Sequence, residues 1–112
     1  MGASMKVLGE TLIVTLDGEL DVHSASEFRA AVTGAFDERP RLRNLVLLMH
    51  GVTFVDSSGI GAILGRLKEV SARGGRLAVV GLQTPVERAF AMSGVLKRIS
   101  VHDSEGQALA SL

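Results

Sequence analysis

The chain has 112 residues, with 12 Lys or Arg balanced by 12 Asp or Glu, so its formal net charge is zero. This length suits one domain over residues 1–112 with a core of its own, and a neutral chain lacks the broad positive surface that binds DNA, RNA or anionic membranes. The absence of cysteine excludes disulfides and thiolate metal sites, so we expect a protein of the reducing cytoplasm whose partners are other proteins.

The first predicted elements are two strands joined by a turn. Residues 11–16 are rich in β-branched and aliphatic side chains and are followed by Asp17-Gly18, a typical turn pair. Val7-Leu8 precedes them, and Gly9-Glu10 lies between the two runs. This pattern predicts a hairpin whose second strand ends at Asp17-Gly18.

A helix and a central strand are predicted next. Ser24 and Glu27 have the spacing of a capping box, and Pro40 marks the end of the helix. The apolar residues after the cap fall on one helical face: Ala25, Phe28, Val32, Ala35 and Phe36. Residues 45–49 form a continuous apolar run, which predicts a central strand covered on both faces.

A second amphipathic helix is predicted after the serine pair Ser57-Ser58, and Gly74-Gly75 ends it. Its buried face is predicted to contain Ile60, Ile63, Leu64 and Leu67. The residues predicted to face mostly outward are Arg66, Lys68, Glu69 and Arg73. The basic ones among them form a solvated surface or, alternatively, meet an acidic partner: Arg66, Lys68 and Arg73. Gly61 and Gly65 permit close approach of another backbone, and we expect the domain's own sheet there rather than a docking partner.

The last third of the chain is predicted to contain two more strands and two more helices. The strands are expected at residues 77–80, which are apolar throughout, and at residues 98–101, a short edge strand. Thr84-Pro85 is predicted to cap and open the third helix, and Gly94 to close it. Ser104, three residues before a glutamine, is the predicted cap of the last helix. The alternation of elements predicts an α/β domain with a mixed β-sheet and packed α-helices.

Two adjacent hydroxyls stand at a predicted helix start in the segment Phe54-Val55-Asp56-Ser57-Ser58-Gly59-Ile60-Gly61. Residues 52–58 are predicted to form a loop at the carboxyl end of the central strand, where ligands of α/β sheets gather. Unpaired N–H groups and the positive end of the helix dipole favour a phosphate at this position. The alternative is that Asp56 or one of the serines simply caps the helix.

Enzyme motifs fit this segment poorly. A nucleophile elbow needs G-x-S-x-G, and Asp56 stands where its first glycine should be. The three histidines have no spacing that points at the serines or forms a metal set: His23, His50 and His102. The glycine motifs that bind nucleotides are incomplete. We therefore expect no catalytic residue, no metal and no cofactor.

The sequence resembles an anti-sigma-factor antagonist of the STAS domain family, close to the sporulation type. The resemblance covers residues 12–109, nearly the whole chain. The matching stretches stand in the family's order: Gly18-Glu19-Leu20-Asp21, the segment from Phe54 to Gly61, Ile63-Leu64-Gly65-Arg66, Gly74-Gly75 and Ala91-Met92-Ser93-Gly94-Val95. A D-S-S-G tetrapeptide alone is a weak signal, but these neighbours make it specific.

This resemblance implies a regulatory switch that is not an enzyme. In the family, the unphosphorylated antagonist binds an anti-sigma factor, itself a serine kinase, and so releases the sigma factor. The kinase phosphorylates the second serine of the D-S-S-G element, here Ser58, and a serine phosphatase reverses the reaction. The partner-binding residues that the resemblance implies are Asp21, Asp56, Ser57, Ser58 and Gly59.

Two other functions remain as alternatives. One is a STAS module that serves a general-stress signalling scaffold or a transport complex, because the sporulation and stress branches share these motifs. The other is a small serine-dependent enzyme. No apolar stretch approaches the roughly 18 residues of a membrane span, and the first residues lack the apolar core of a signal peptide, so we expect no membrane partner and a cytoplasmic location.

Overall fold

A computed structural model describes residues 1–112 as a sheet of five strands with four α-helices and one turn of 3-10 helix. The elements in chain order are β1 (Gly2–Leu8), β2 (Thr11–Leu20), α1 (Ala25–Glu38), β3 (Asn44–Val55), α2 (Ser57–Ala72), β4 (Leu77–Val80), α3 (Thr84–Ser93), the 3-10 turn (Val95–Lys97), β5 (Ser100–His102) and α4 (Glu105–Ala110). The predicted α/β class is confirmed.

The sheet is mixed, and its strands lie in sequence order from β1 to β5. The hairpin of β1 and β2 is antiparallel and turns at Gly9, whose φ of 59° suits glycine. The remaining pairs are parallel, and β3 lies in the centre as predicted. The short strand β5 lies at one edge, close to its predicted position.

Helices cover the two faces of the sheet unequally. The larger core cluster, of 23 buried residues, lies where α1, α2 and α3 meet one face, and its largest side chains include Phe28, Phe36 and Phe90. On the other face a second cluster of five buried residues joins Ile13 and Val46 to Ala108 of α4. Both faces of β3 are therefore buried, which explains the unbroken apolar run in its sequence.

Both central strands run further than the sequence predicted. The pair Asp17-Gly18 does not end β2, because Gly18 takes a φ of 95° within the strand and the pairing with β3 shifts register on either side of it. Residues 52–58 do not form a loop either, since β3 continues to Val55 and only Asp56 separates it from α2. The extended pairing brings Leu20 beside Val55 at the ends of the two strands.

Of the three predicted serine or threonine caps, one is confirmed. The Ser104 hydroxyl accepts a hydrogen bond from the Gln107 amide at 3.2 Å. The Ser24 side chain does not cap α1, because it contacts the backbone of Glu19 and Asp21 instead. Thr84 lies inside α3, and the residue before it makes no side-chain cap.

The polar side of α2 is also more buried than predicted, because α1 packs beside it. Arg66 is only 7% exposed, and Glu69 accepts a hydrogen bond from the Thr33 hydroxyl of α1 at 2.8 Å. Arg73 donates to the carbonyls of Phe36 and Leu42, at 3.1 Å each. Of the four residues predicted to face mostly outward, Lys68 is the exposed one. The outward prediction is thus wrong for Arg66.

Candidate partner-binding site at the start of helix α2

The register of β2 and β3 brings two chain segments to one edge of the sheet. Leu20 and Val55 are paired, and the Asp56 amide donates to the Leu20 carbonyl at 3.3 Å. The residues that follow, Asp21-Val22 and Asp56-Ser57, therefore leave the sheet side by side. This is the carboxyl end of the parallel strands, where α/β sheets bind their ligands.

Asp56 holds these two segments together. Its Oδ1 accepts a hydrogen bond from the Gly59 amide at 2.9 Å, so Asp56 is the N-cap of α2. Its Oδ2 accepts a second bond from the Val22 amide at 3.1 Å, in the loop between β2 and α1. The capping alternative is thus confirmed for Asp56, and the same carboxylate also positions the neighbouring loop.

Asp21 organises the loop from within. Its Oδ1 accepts hydrogen bonds from the amides of His23 and Ser24, at 2.9 and 3.1 Å. Desolvation acts to raise the pKa of this carboxyl, but the two amides, the Ser24 hydroxyl and the nearby His23 together outweigh it and lower the pKa below its ordinary value. The hydrogen bonds of this loop therefore stabilise the charged form of Asp21.

Gly59 is required by a close approach rather than by its backbone angles. It is buried beneath the end of β2, and a Cβ at this position would overlap the Leu20 carbonyl oxygen. Among the five implied site residues it is the one whose position is fixed by internal packing. The missing side chain lets the first turn of α2 lie against β2.

The two serines face different surroundings. Ser57 is exposed and lines a hollow with Ile60 and Met92, whereas Ser58 is half-buried and lines a groove between α1 and α2. Neither hydroxyl forms a hydrogen bond within the protein, and the amides of both residues lack an acceptor, as expected for a first helical turn. The start of α2 thus offers free hydroxyls and free N–H donors together.

Large apolar side chains surround this polar centre. Val22 is 63% exposed, Phe54 46% and Met92 89%. Val22 and Met92 flank the start of α2 on its two sides, and Phe54 lies two residues before Asp56. Exposed apolar side chains around polar groups are typical of a surface that another protein covers. Sequence reasoning missed Val22 and Phe54 as site residues.

Groups for other chemistry are not assembled here. His23 shares the loop with Asp21, but no histidine ring is hydrogen-bonded to Ser57 or Ser58. No group of three or more His, Cys, Asp or Glu side chains has a geometry suited to a metal ion. No helix has the length and apolar character needed to cross a membrane.

The fold and the D-S-S-G helix start together define a STAS domain, and the profile of that family matches residues 3–108. The chain belongs to the STAS domain family. It is similar to the anti-sigma F factor antagonist of Paenibacillus polymyxa, with 41% identity over 101 residues that cover 90% of this chain and 86% of that protein. The resemblance noted in the sequence is therefore confirmed.

Two solved structures resemble the chain along almost its whole length. One is the anti-sigma factor antagonist SpoIIAA in its unphosphorylated form, with a TM-score of 0.75, 25% identity and coverage of 98% of this chain and 96% of that one. The other is the Bacillus cell fate determinant SpoIIAA in its phosphorylated form, with a TM-score of 0.76, 27% identity and 98% of both chains covered.

The two glycines Gly59 and Gly61 give a matched test of this geometry. We expect Gly59→Ala to destabilise the fold by about 1–3 kcal/mol, because the new methyl group has no room beside Leu20. Gly61→Ala should instead stabilise it by about 0.5–1 kcal/mol, since that position is open and alanine favours a helix. Urea unfolding of both variants measures the difference, and similar stabilities would contradict the described contact.

The lowered pKa of Asp21 predicts a pH dependence. The contribution of Asp21 to stability is fully present above the unfolded pKa of its carboxyl and is lost as the pH falls through the lower folded pKa. Ser24→Ala removes a hydroxyl contact and should move the pKa of Asp21 upward, as measured by NMR titration of the carboxyl carbon. The control Ser26→Ala, an exposed serine without contact to Asp21, should leave that titration unchanged.

Proposed function

We propose that this protein is an anti-sigma-factor antagonist whose unphosphorylated form binds an anti-sigma factor that is also a serine kinase, and so releases a sigma factor. The observation that carries the proposal is the free Ser58 hydroxyl at the start of α2, within a surface that Asp56 holds in place. The similarity to the anti-sigma F factor antagonist of Paenibacillus polymyxa and to the SpoIIAA structures supports the same function.

Ser58 is the proposed phosphorylation site, and a serine phosphatase is the proposed partner that reverses it. Ser58 is the second serine of the D-S-S-G element, and its free amide and that of Ser57 can donate to a phosphate. Asp21, Asp56 and Ser57 are proposed to line the partner surface around it. Gly59 is proposed to contribute through the close packing that fixes this helix start.

Phosphorylation is proposed to end binding through charge. A phosphoserine adds about −1.5 to −2 charges, two residues after the carboxylate of Asp56. A partner that covers Ser58 would have to remove water from this dianion, and without a new cation opposite it the desolvation cost exceeds the gain. The monomer keeps the phosphate in water and avoids that cost.

The sporulation circuit is the preferred setting, because the Paenibacillus relative is an antagonist of an anti-sigma F factor. A general-stress scaffold or transport module is the alternative class, and the unbonded acceptor Ser58 favours the antagonist over STAS modules without such a serine. A hydrolase is disfavoured since no base contacts either serine. The proposed function implies that the protein acts in the cytoplasm.

Substitutions at the two serines test the switch. Ser58→Ala removes only a hydroxyl, so it should bind the anti-sigma factor persistently and accept no phosphate, whereas Ser58→Asp should weaken binding by several kcal/mol. Ser57→Ala is the matched control and should remain a substrate of the kinase. Titration calorimetry and peptide mass spectrometry after incubation with ATP give the two readouts. Equal affinities of the Ala and Asp variants would mean that charge at Ser58 is not the switch.

Phosphorylation should leave the fold intact. The helix dipole favours a negative charge beside Ser58 by roughly 0.3–1 kcal/mol, which offsets part of the repulsion from Asp56. We therefore expect the melting temperature of the phosphorylated protein to lie within a few degrees of the unmodified one. A fall of ten degrees or more, with loss of the far-ultraviolet helix signal, would show that the modification acts by unfolding.

A further inference from the structure

A groove of about 380 Å³ runs between α1 and α2, and Ser58 lies among the residues that line it. The small residues that line it are Ala25, Gly61, Ala62 and Gly65. A Cβ at Gly61 or Gly65 would meet no other atom within 4 Å, so the predicted packing of these glycines against the sheet is wrong. They leave room for a backbone from outside the domain.

Arg66 lies in this groove with its hydrogen bonds incomplete. The residue is 7% exposed, and its Nη1 is buried without an acceptor. Its ion pair is to Glu69 on the same helix, through Nε, and that carboxylate also accepts from the Thr33 hydroxyl. A buried guanidinium normally has acceptors for most of its five N–H groups. Arg66 therefore keeps donor capacity that no acceptor of the chain satisfies.

Arg29 adds a second positive charge to the same groove. It lies on the exposed side of α1 and forms no ion pair. None of the residues that line the groove is acidic, and the Glu69 carboxylate is already engaged by Arg66 and Thr33. In a chain of zero net charge, this groove is thus a local positive site.

We propose that the groove binds an Asp or Glu side chain carried on a helix of the anti-sigma factor, with the carboxylate paired to Arg66 and Arg29. Two guanidinium groups match the geometry of a carboxylate, and small residues four apart, Gly61 and Gly65, let a second helix approach closely. This inference rests on the proposed function. It adds to that function the chemical group of the partner, a carboxylate, and the two arginines that bind it.

The groove also gives the phosphorylation switch a direct electrostatic basis. Ser58 lines the same groove as the two arginines, so a phosphoryl group there adds negative charge beside the proposed carboxylate. Arg29, which is exposed and free, is the cation best able to turn toward that phosphate. The phosphate then repels the partner's carboxylate and competes with it for the same positive charge.

Charge-removing variants test the contact against the purified cognate anti-sigma factor. Arg29→Ala and Arg66→Met, which keeps most of the buried aliphatic stem, should each weaken binding about tenfold or more. The matched control is Arg41→Ala, which removes the same charge from an exposed position outside the groove and should change affinity less than twofold. Calorimetry at low and moderate salt should show a shallower salt dependence for both groove variants. If Arg66→Met fails to fold, the affinity of Arg29→Ala alone tests the contact, because Arg29 is exposed.

The possible outcomes separate this inference from the proposed function. If the wild-type chain does not bind the anti-sigma factor, the proposed function fails. If it binds and both groove variants match Arg41→Ala, the function stands and the groove contact is overturned. A charge swap identifies the partner residue: Arg29→Glu should lose binding and regain it with an Asp→Arg or Glu→Arg change on the partner's docking helix. Lack of rescue by every such change would contradict the carboxylate contact.

Discussion

One carboxylate organises the candidate site, because Asp56 accepts hydrogen bonds from two elements at once. Its bond to the Gly59 amide caps α2, and its bond to the Val22 amide fixes the loop before α1. The bond to Val22 depends on the register of β2 and β3, which sets Leu20 against Val55. The site is therefore a product of the central parallel pair, and a shift in that pairing would separate its two segments.

The same constraint explains one of the three glycines of this helix, Gly59, but not the other two. Gly59 lets the first turn lie against Leu20, while Gly61 and Gly65 leave the opposite side open toward the groove. A glycine in a helix interior lowers stability by roughly 0.5–1 kcal/mol relative to alanine. Internal packing accounts for Gly59 but not for Gly61 and Gly65. The cost at these two positions is consistent with a surface shaped for a partner.

Short sequence patterns correctly predicted the elements that are determined by residues close together in the chain. The apolar runs of β3 and β4 and the closing glycine Gly94, with its φ of 80°, are visible in short windows of sequence. The errors arose where a distant residue decides the outcome. The pair Asp17-Gly18 is typical of a turn in a short window of sequence, but Gly18 lies inside β2 because β3 pairs with it. The burial of Arg66 depends on the packing of α1 beside α2. The bond from Val22 to Asp56 joins residues 34 apart in sequence, a contact that no local pattern contains.

The arrangement favours a switch that acts on the surface rather than through the fold. The Gly59 amide is already bonded to Asp56, so the donors near a phosphate on Ser58 are the free amides at the tip of the helix and the side chain of Arg29 in the same groove. A ligand shifts a conformational equilibrium only through a difference in its affinity for two states. The SpoIIAA structures resemble this chain equally well in the unphosphorylated and phosphorylated forms. The added charge would therefore act directly on the binding of a partner that covers the groove and the exposed side chains around Ser58.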